Sequence, residues 1–205
     1  MNRIFPVESA HLITFEEEYW AGNEVLRNEI PWLVPSSVYF LDHLVTREST
    51  VLDLGSGGST LFFARRAQGV VAIETHPESA SIVAATLHKK QITNVGYFLE
   101  ETQDAVEALV RNLGPKFSIV SVDTLLGYDR SRLLNLCTRP EALPHLRTII
   151  MDNYANSDLF PLHYAMSISE LLSTFPRDPS GAVWKGKDFN DFHWIGNGTR
   201  ILYRE

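Results

Sequence analysis

The chain has 205 residues with a single cysteine, and its 18 basic and 25 acidic side chains give a formal net charge of −7. This length suits one compact domain burying roughly 70% of its unfolded surface, and lone Cys137 excludes an intrachain disulfide or an all-cysteine zinc cluster. The negative charge opposes diffuse attraction to nucleic acid without excluding a local basic patch. The opening run meets Glu8 too early for a signal peptide and no apolar run would span a bilayer, so a cytoplasmic protein with no membrane partner is expected.

Residues 8–48 read as helices broken at Pro31 and Pro35, with Phe15, Tyr19, Trp20, Leu26, Ile30 and Leu33 supplying apolar surface. They are expected to form an N-terminal helical cap, residues 1–48, ahead of a domain at 49–205, the two making one compact unit. A strand–helix rhythm follows. Strands are predicted at Thr50 to Leu54, Gly69 to Ile73 and Val95 to Leu99, with helices at Ser59 to Ala67, Pro77 to Lys90 and Thr102 to Leu113. Phe117 to Val122 carries the β-branched content of a buried fourth strand, and Thr148 to Met151 makes a fifth. Helices are expected at Arg130 to Cys137, Glu141 to Leu146 and Tyr164 to Phe175. Phe189 to Ile195 and Thr199 to Tyr203 flank Gly196-Asn197-Gly198, a hairpin signal. The expected fold class is α/β: a Rossmann-like, mostly parallel seven-stranded sheet with an antiparallel C-terminal strand, its sixth strand poorly delimited.

The run Val51-Leu52-Asp53-Leu54-Gly55-Ser56-Gly57-Gly58-Ser59 joins a buried strand to a glycine-rich turn, and Glu74 closes the next strand. In an open twisted sheet, ligands gather beyond the carboxyl ends of the strands, where Asp53, Glu74, Asp123 and Asp152 all fall. Gly55, Ser56 and Gly57 are expected to line a nucleotide-like cofactor, and Glu74 to accept hydrogen bonds from its ribose hydroxyls. Asp53 can hold the turn through backbone hydrogen bonds or meet a cofactor amine through water. Ser59 and Thr60 can cap the following helix. Glu101 and Gln103, past the third strand, can reach an adenine edge.

These residues resemble the Rossmann-like S-adenosylmethionine-dependent methyltransferases. Asp53-Leu54-Gly55-Ser56-Gly57 mirrors their glycine loop, Glu74 their ribose-binding acid, and Thr199 to Tyr203 their terminal antiparallel strand. A nicotinamide fingerprint would prefer a glycine where this chain has Thr60, which disfavours a dehydrogenase. Catechol-type O-methyltransferases place an Asp after strand four and Asp-Asn after strand five, so the resemblance implies Asp123, Asp152 and Asn153 as catalytic residues and as ligands for Mg²⁺. Such an ion would lower the pKa of an acceptor hydroxyl.

Small methyltransferases with Asp-Gly and His-any-Tyr after strand four form a second resemblance, from which this chain departs at Asp123-Thr124-Leu125-Leu126-Gly127-Tyr128. Tyr154, beside the rim, is a further catalytic or pocket candidate, and Tyr128 and His163 are candidate acceptor contacts. Trp184, Phe192 and Trp194 can line a hydrophobic wall or simply pack the terminal hairpin. Trp20, Trp32, Tyr19 and Phe15 can form a lid, cover the sheet, or join two subunits of a homodimer.

The expected activity is methyl transfer to a small molecule, at oxygen. The rivals are a protein or nucleic-acid N-methyltransferase, and a non-enzymatic nucleotide-responsive binding module. The chain lacks the Asn/Asp-Pro-Pro-aromatic motif of adenine methylation, since Asp152-Asn153-Tyr154 has no prolines.

Overall fold

The computed structural model describes residues 24–124, 129–142, 144–154, 167–177, 181–191 and 198–204. Two short helices, α1 (Glu24–Asn28) and α2 (Pro35–Leu44), precede the sheet. Pro35 opens α2 rather than breaking a helix, because a first-turn residue needs no intrahelical N–H. The alternating part comprises β1 (Thr50–Leu54), α3 (Gly58–Arg66), β2 (Gly69–Glu74), α4 (Pro77–Lys89), β3 (Val95–Leu99), α5 (Gln103–Leu113), β4 (Ile119–Val122), α6 (Arg130–Cys137) and β5 (Thr148–Asp152). It ends in α7 (Ile168–Ser173), β6 (Trp184–Phe189) and β7 (Thr199–Arg204).

The strands form one seven-stranded sheet in the order β3-β2-β1-β4-β5-β7-β6. The first five are parallel; β7 lies antiparallel between β5 and β6. Chain order reverses between β1 and β4, which opens a crevice above their carboxyl ends. Side-chain alternation divides the core between the two faces. Val51, Ile150 and Ile201 pack with α2 and α3, whose Phe62 and Phe63 are fully buried; Leu52, Ile149 and Leu202 pack with α5, α6 and α7 on the other face. Cys137 is buried in this second layer, where the loss of solvent pushes its thiol up to about 12, fitting a small hydrophobe.

Two local expectations are corrected. Residues 141–146, where described, form hydrogen-bonded turns and no helix, since Pro144 has no N–H to donate. The sixth strand begins at Trp184, ahead of the expected Phe189 to Ile195, and its last pair is Phe189 with Thr199. Lys185, Lys187 and Asp188 are typical of a charged edge strand, and Gly186 leaves room for Ile168 of α7. Residues 192–197 lie outside the described residues.

The three central strand ends interlock at one glycine. Gly55 N–H donates to the Ile73 carbonyl at 2.9 Å and Asp123 N–H to the Leu54 carbonyl at 2.8 Å. Gly55 has φ +98°, and a Cβ there would overlap the Asp123 carbonyl. Gly55→Ala should therefore cost on the order of 3 kcal/mol in denaturant unfolding. Gly69→Ala, on a strand where a Cβ would meet only the Asn94 carbonyl at an ordinary contact distance of 3.8 Å, should change stability by less than about 0.5 kcal/mol.

Candidate active site

Asp53, fully buried in β1, faces the turn it precedes. Its Oδ2 accepts from the hydroxyls of Ser59 at 2.9 Å and Thr60 at 2.7 Å, while Thr60 Oγ1 accepts from Gly57 N–H at 3.3 Å. Asp53 thus holds the loop through two hydroxyls rather than through direct backbone bonds, and Thr60 both donates to it and caps the start of α3 by accepting from Gly57 N–H. Oδ1 makes no hydrogen bond of good geometry among the described residues. Burial pushes this carboxyl up to about 7, and the nearby Asp123 charge adds to the rise. A Cβ on Gly57, at φ +157°, would meet nothing, so its backbone borders open space. Gly58, unremarked in sequence, carries the close approach on the other side: a Cβ there would overlap the Ile30 carbonyl ahead of α2.

Glu74 is turned into the loop and nearly buried. Its Oε2 accepts from Ser56 N–H at 3.1 Å and Ser56 Oγ at 2.5 Å; its Oε1 accepts from the N–H groups of Thr75 at 2.7 Å and His76 at 3.0 Å. All four acceptor positions of the carboxylate are filled. Ser56 Oγ also lies 2.7 Å from the Tyr97 hydroxyl, a neighbour on β3 that sequence reasoning missed. A ribose diol can bind Glu74 only by displacing the Ser56 hydroxyl, which has Tyr97 as its other partner.

The ends of β4 and β5 are joined by Arg130, the first residue of α6, whose side chain is only 3% exposed. Its Nη2 donates to Asp123 Oδ1 at 3.2 Å and to the Thr124 carbonyl, and its Nη1 to the Asp152 carbonyl at 2.9 Å. Asp152 Oδ2 accepts from Asn153 Nδ2 at 2.6 Å and its Oδ1 from Thr199 Oγ1 at 3.3 Å. Burial raises both carboxyls, Asp152 the more strongly because Asp123 adds its charge, and Arg130 opposes the rise at each. Asn153 sits at φ +51°. Tyr154 lies under the Arg200 guanidinium, 4.4 Å from its ring centre, and Arg200 pairs with Asp188 at 2.6 Å.

As arranged, Asp123, Asp152 and Asn153 do not fit a divalent ion. Arg130 puts its positive charge between the two strand ends and holds one Asp123 carboxylate oxygen, and both Asp152 carboxylate oxygens are engaged by Asn153 and Thr199. No group of three His, Cys, Asp or Glu suited to a metal occurs among the described residues.

A cleft of about 220 Å³ lies between the glycine loop, α1 and α4, lined by Trp32, Gly57, Ser59, Ile82 and Asp123 among others. Trp32 therefore borders the cleft, while the other lid candidates, Phe15, Tyr19 and Trp20, lie outside the described residues. So do Tyr128, His163, Phe192 and Trp194. Glu101 is exposed beyond β3. Gln103 is used elsewhere: its amide donates to the Asp129 carbonyl at 3.1 Å and accepts from Asp129 N–H at 2.8 Å. Trp184 packs edge-on against Phe175, away from this edge of the sheet.

Solved structures share the fold. An O-methyltransferase from Bacillus cereus, in complex with SAH, superposes with a TM-score of 0.61 at 18% identity, covering 98% of this chain and 93% of that one. A Streptomyces achromogenes O-methyltransferase in complex with SAM gives 0.59 at 19% identity, over 92% and 89%. An rRNA methylase from Streptococcus thermophilus gives 0.55 at 18%, over 82% and 94%. This is the S-adenosylmethionine-dependent methyltransferase fold. No family model and no curated protein matches the sequence. Among the described residues no helix is long and apolar enough to cross a membrane.

The raised Asp53 carboxyl sets a pH dependence. The unfolded group ionises near its ordinary value of about 3.9 and the folded one near 7, so the folded state binds the extra proton between them and loses stability as pH rises through that window. Asp53→Asn removes this loss. Its melting temperature relative to the parent should rise from pH 4 to pH 8, by the equivalent of roughly 4 kcal/mol at most. An unchanged difference would contradict the assignment.

Proposed function

We propose that this protein transfers a methyl group from S-adenosylmethionine to an oxygen of a small-molecule acceptor. The observation that carries the reading is the cleft at the sheet's topological switch, where open backbone at Gly57 meets the carboxylate of Asp123. The residues fit a donor of this kind. Its positive charge suits a cleft lined by Asp123, with Asp53 buried behind the glycine loop, its carboxylate suits the first turn of α3, and its sugar suits Glu74. When bound, this donor supplies an electrophilic methyl group on a sulfonium.

The chain's own task is then placement. Carboxylates near a sulfonium favour the charged ground state at least as much as the transition state, in which that charge is fading, so they bind the donor more than they accelerate transfer. Rate comes from holding the acceptor oxygen in line at near-attack distance. Asp123, about a third exposed and lining the cleft, is in place to take the proton of an acceptor hydroxyl. Asn153 and Tyr154 border the rim on the β5 side, where they can orient the acceptor. Likeness to O-methyltransferases supports oxygen as the acceptor. The rRNA methylase with the same fold makes nucleic acid the competing substrate class, which the net charge of −7 disfavours.

Calorimetric titration with S-adenosylmethionine, S-adenosylhomocysteine and a nicotinamide dinucleotide tests the donor. The first two should bind and the third should not; binding of the dinucleotide alone would overturn the reading. Glu74→Gln should weaken S-adenosylhomocysteine by about tenfold, whereas Ser56→Ala, which removes the hydroxyl competing for Glu74, should bind it at least as tightly as the parent. Product mass after incubation with hydroxyl-bearing small molecules should show the gain of one methyl, and gain only on RNA would favour the competing class.

A further inference from the structure

We propose that Arg130 is the resident cation of the β4–β5 rim, standing where a catechol-type enzyme would carry a divalent metal, and that methyl transfer here is metal-independent. The inference rests on the methyl-transfer reading for its chemistry, but its geometry is independent of it. Arg130 draws on a carboxylate oxygen of Asp123 and the carbonyls of Thr124 and Asp152. A hard divalent ion prefers this same kind of oxygen set.

The guanidinium is fixed from behind. Asp129 caps α6 by accepting from the N–H groups of Ser131 at 3.0 Å and Arg132 at 3.2 Å. Gln103 of α5 grips the Asp129 backbone on both sides, through its N–H and its carbonyl. Arg130 thus enters the rim from a clamped helix start, and with 3% of its side chain exposed it is part of the interior. Asp152 has no free carboxylate oxygen with which to recruit an ion, since Asn153 and Thr199 hold one each. A divalent ion would have to settle beside a buried positive charge and strip it of its acceptors.

The consequence concerns the acceptor. A metal grips a substrate by chelating adjacent oxygens, whereas a guanidinium, which only donates hydrogen bonds, offers no open coordination position. Acceptors of this enzyme are therefore recognised by shape and hydrogen bonding around a single oxygen, without chelation of a vicinal diol.

The test is Mn²⁺ binding followed by electron paramagnetic resonance on the chelator-treated full-length protein, with S-adenosylhomocysteine titrated in parallel. The parent should show no saturable Mn²⁺ binding up to about 1 mM, the weak end of carboxylate cation sites. Saturable binding abolished by Asp123→Asn would overturn the proposal. Arg130→Gln, which vacates the cation's place, should gain a Mn²⁺ site that Arg130→Gln/Asp123→Asn loses again. No gain in a variant that still melts cooperatively would also overturn it, and if Arg130→Gln does not fold, the parent titration alone decides. Failure of S-adenosylhomocysteine to bind would count against the methyl-transfer reading while leaving the Mn²⁺ result interpretable.

Discussion

The crowding of three backbones at Gly55 is the constraint on which the candidate site depends. Leu54 stands opposite Ile73 on one side and Val122 on the other, and the strand ends stay level only because no side chain separates Gly55 from the Asp123 carbonyl. Level ends bring the acids at Asp53, Glu74 and Asp123 to one edge within a small volume. A sheet built to converge carboxylates in this way must also neutralise them, since unpaired buried charge costs more than marginal stability allows.

The structure neutralises each acid differently. Glu74 is saturated by backbone N–H groups and the Ser56 hydroxyl. Asp53 has two hydroxyls on one oxygen and, among the described residues, no well-placed donor on the other, and its burial pushes the carboxyl up to about 7. Asp123 and Asp152 have Arg130 between them. The first two leave positions that an incoming group could take over, at the Ser56 hydroxyl and at Asp53 Oδ1, whereas the third pair is held by the fold's own donors, so the proposed donor and the proposed absence of a metal belong to different ends of one crevice.

The alternation of apolar strands with helices was legible because burial on both faces of a parallel sheet requires near-continuous apolar runs, and the acids stood out as the polar residues that ended them. The glycine turn was legible for a related reason: few sequences need Gly55 and Gly57 directly after such a strand. Arg130 was invisible by the same logic, because an arginine opening a helix reads as a solvated surface charge until the fold places carbonyls around it. β6 was misplaced because its lysines, aspartate and glycine lack the apolar pattern by which interior strands are recognised, while the attractive Asn-Gly signal lay beyond its true end. The occupation of Glu74 by Ser56 had no sequence signal at all, since it depends on a loop conformation rather than on residue type.

The N-terminal helices bear on both ends of this crevice. Beside the glycine loop the Ile30 carbonyl rests against Gly58, and Glu29 ties α1 to Arg65 of α3 at 2.8 Å and to Lys90 after α4 at 2.9 Å. Beside the β4–β5 rim Val34 N–H donates to Thr199 Oγ1 at 3.1 Å, and that hydroxyl donates in turn to Asp152 Oδ1. Ser36, in the first turn of α2, is held by Asp191 beyond β6. A hydroxyl that spends its one proton on Asp152 while accepting from the cap couples the rim carboxylate to the seating of α2. Displacing the cap leaves the buried Val34 N–H without that acceptor and the Thr199 hydroxyl free to turn from Asp152. The segment that walls the cleft through Trp32 therefore also helps fix the Asp152 carboxylate at the end of β5, so the shape of the cleft and the polarity of the β4–β5 rim are set together.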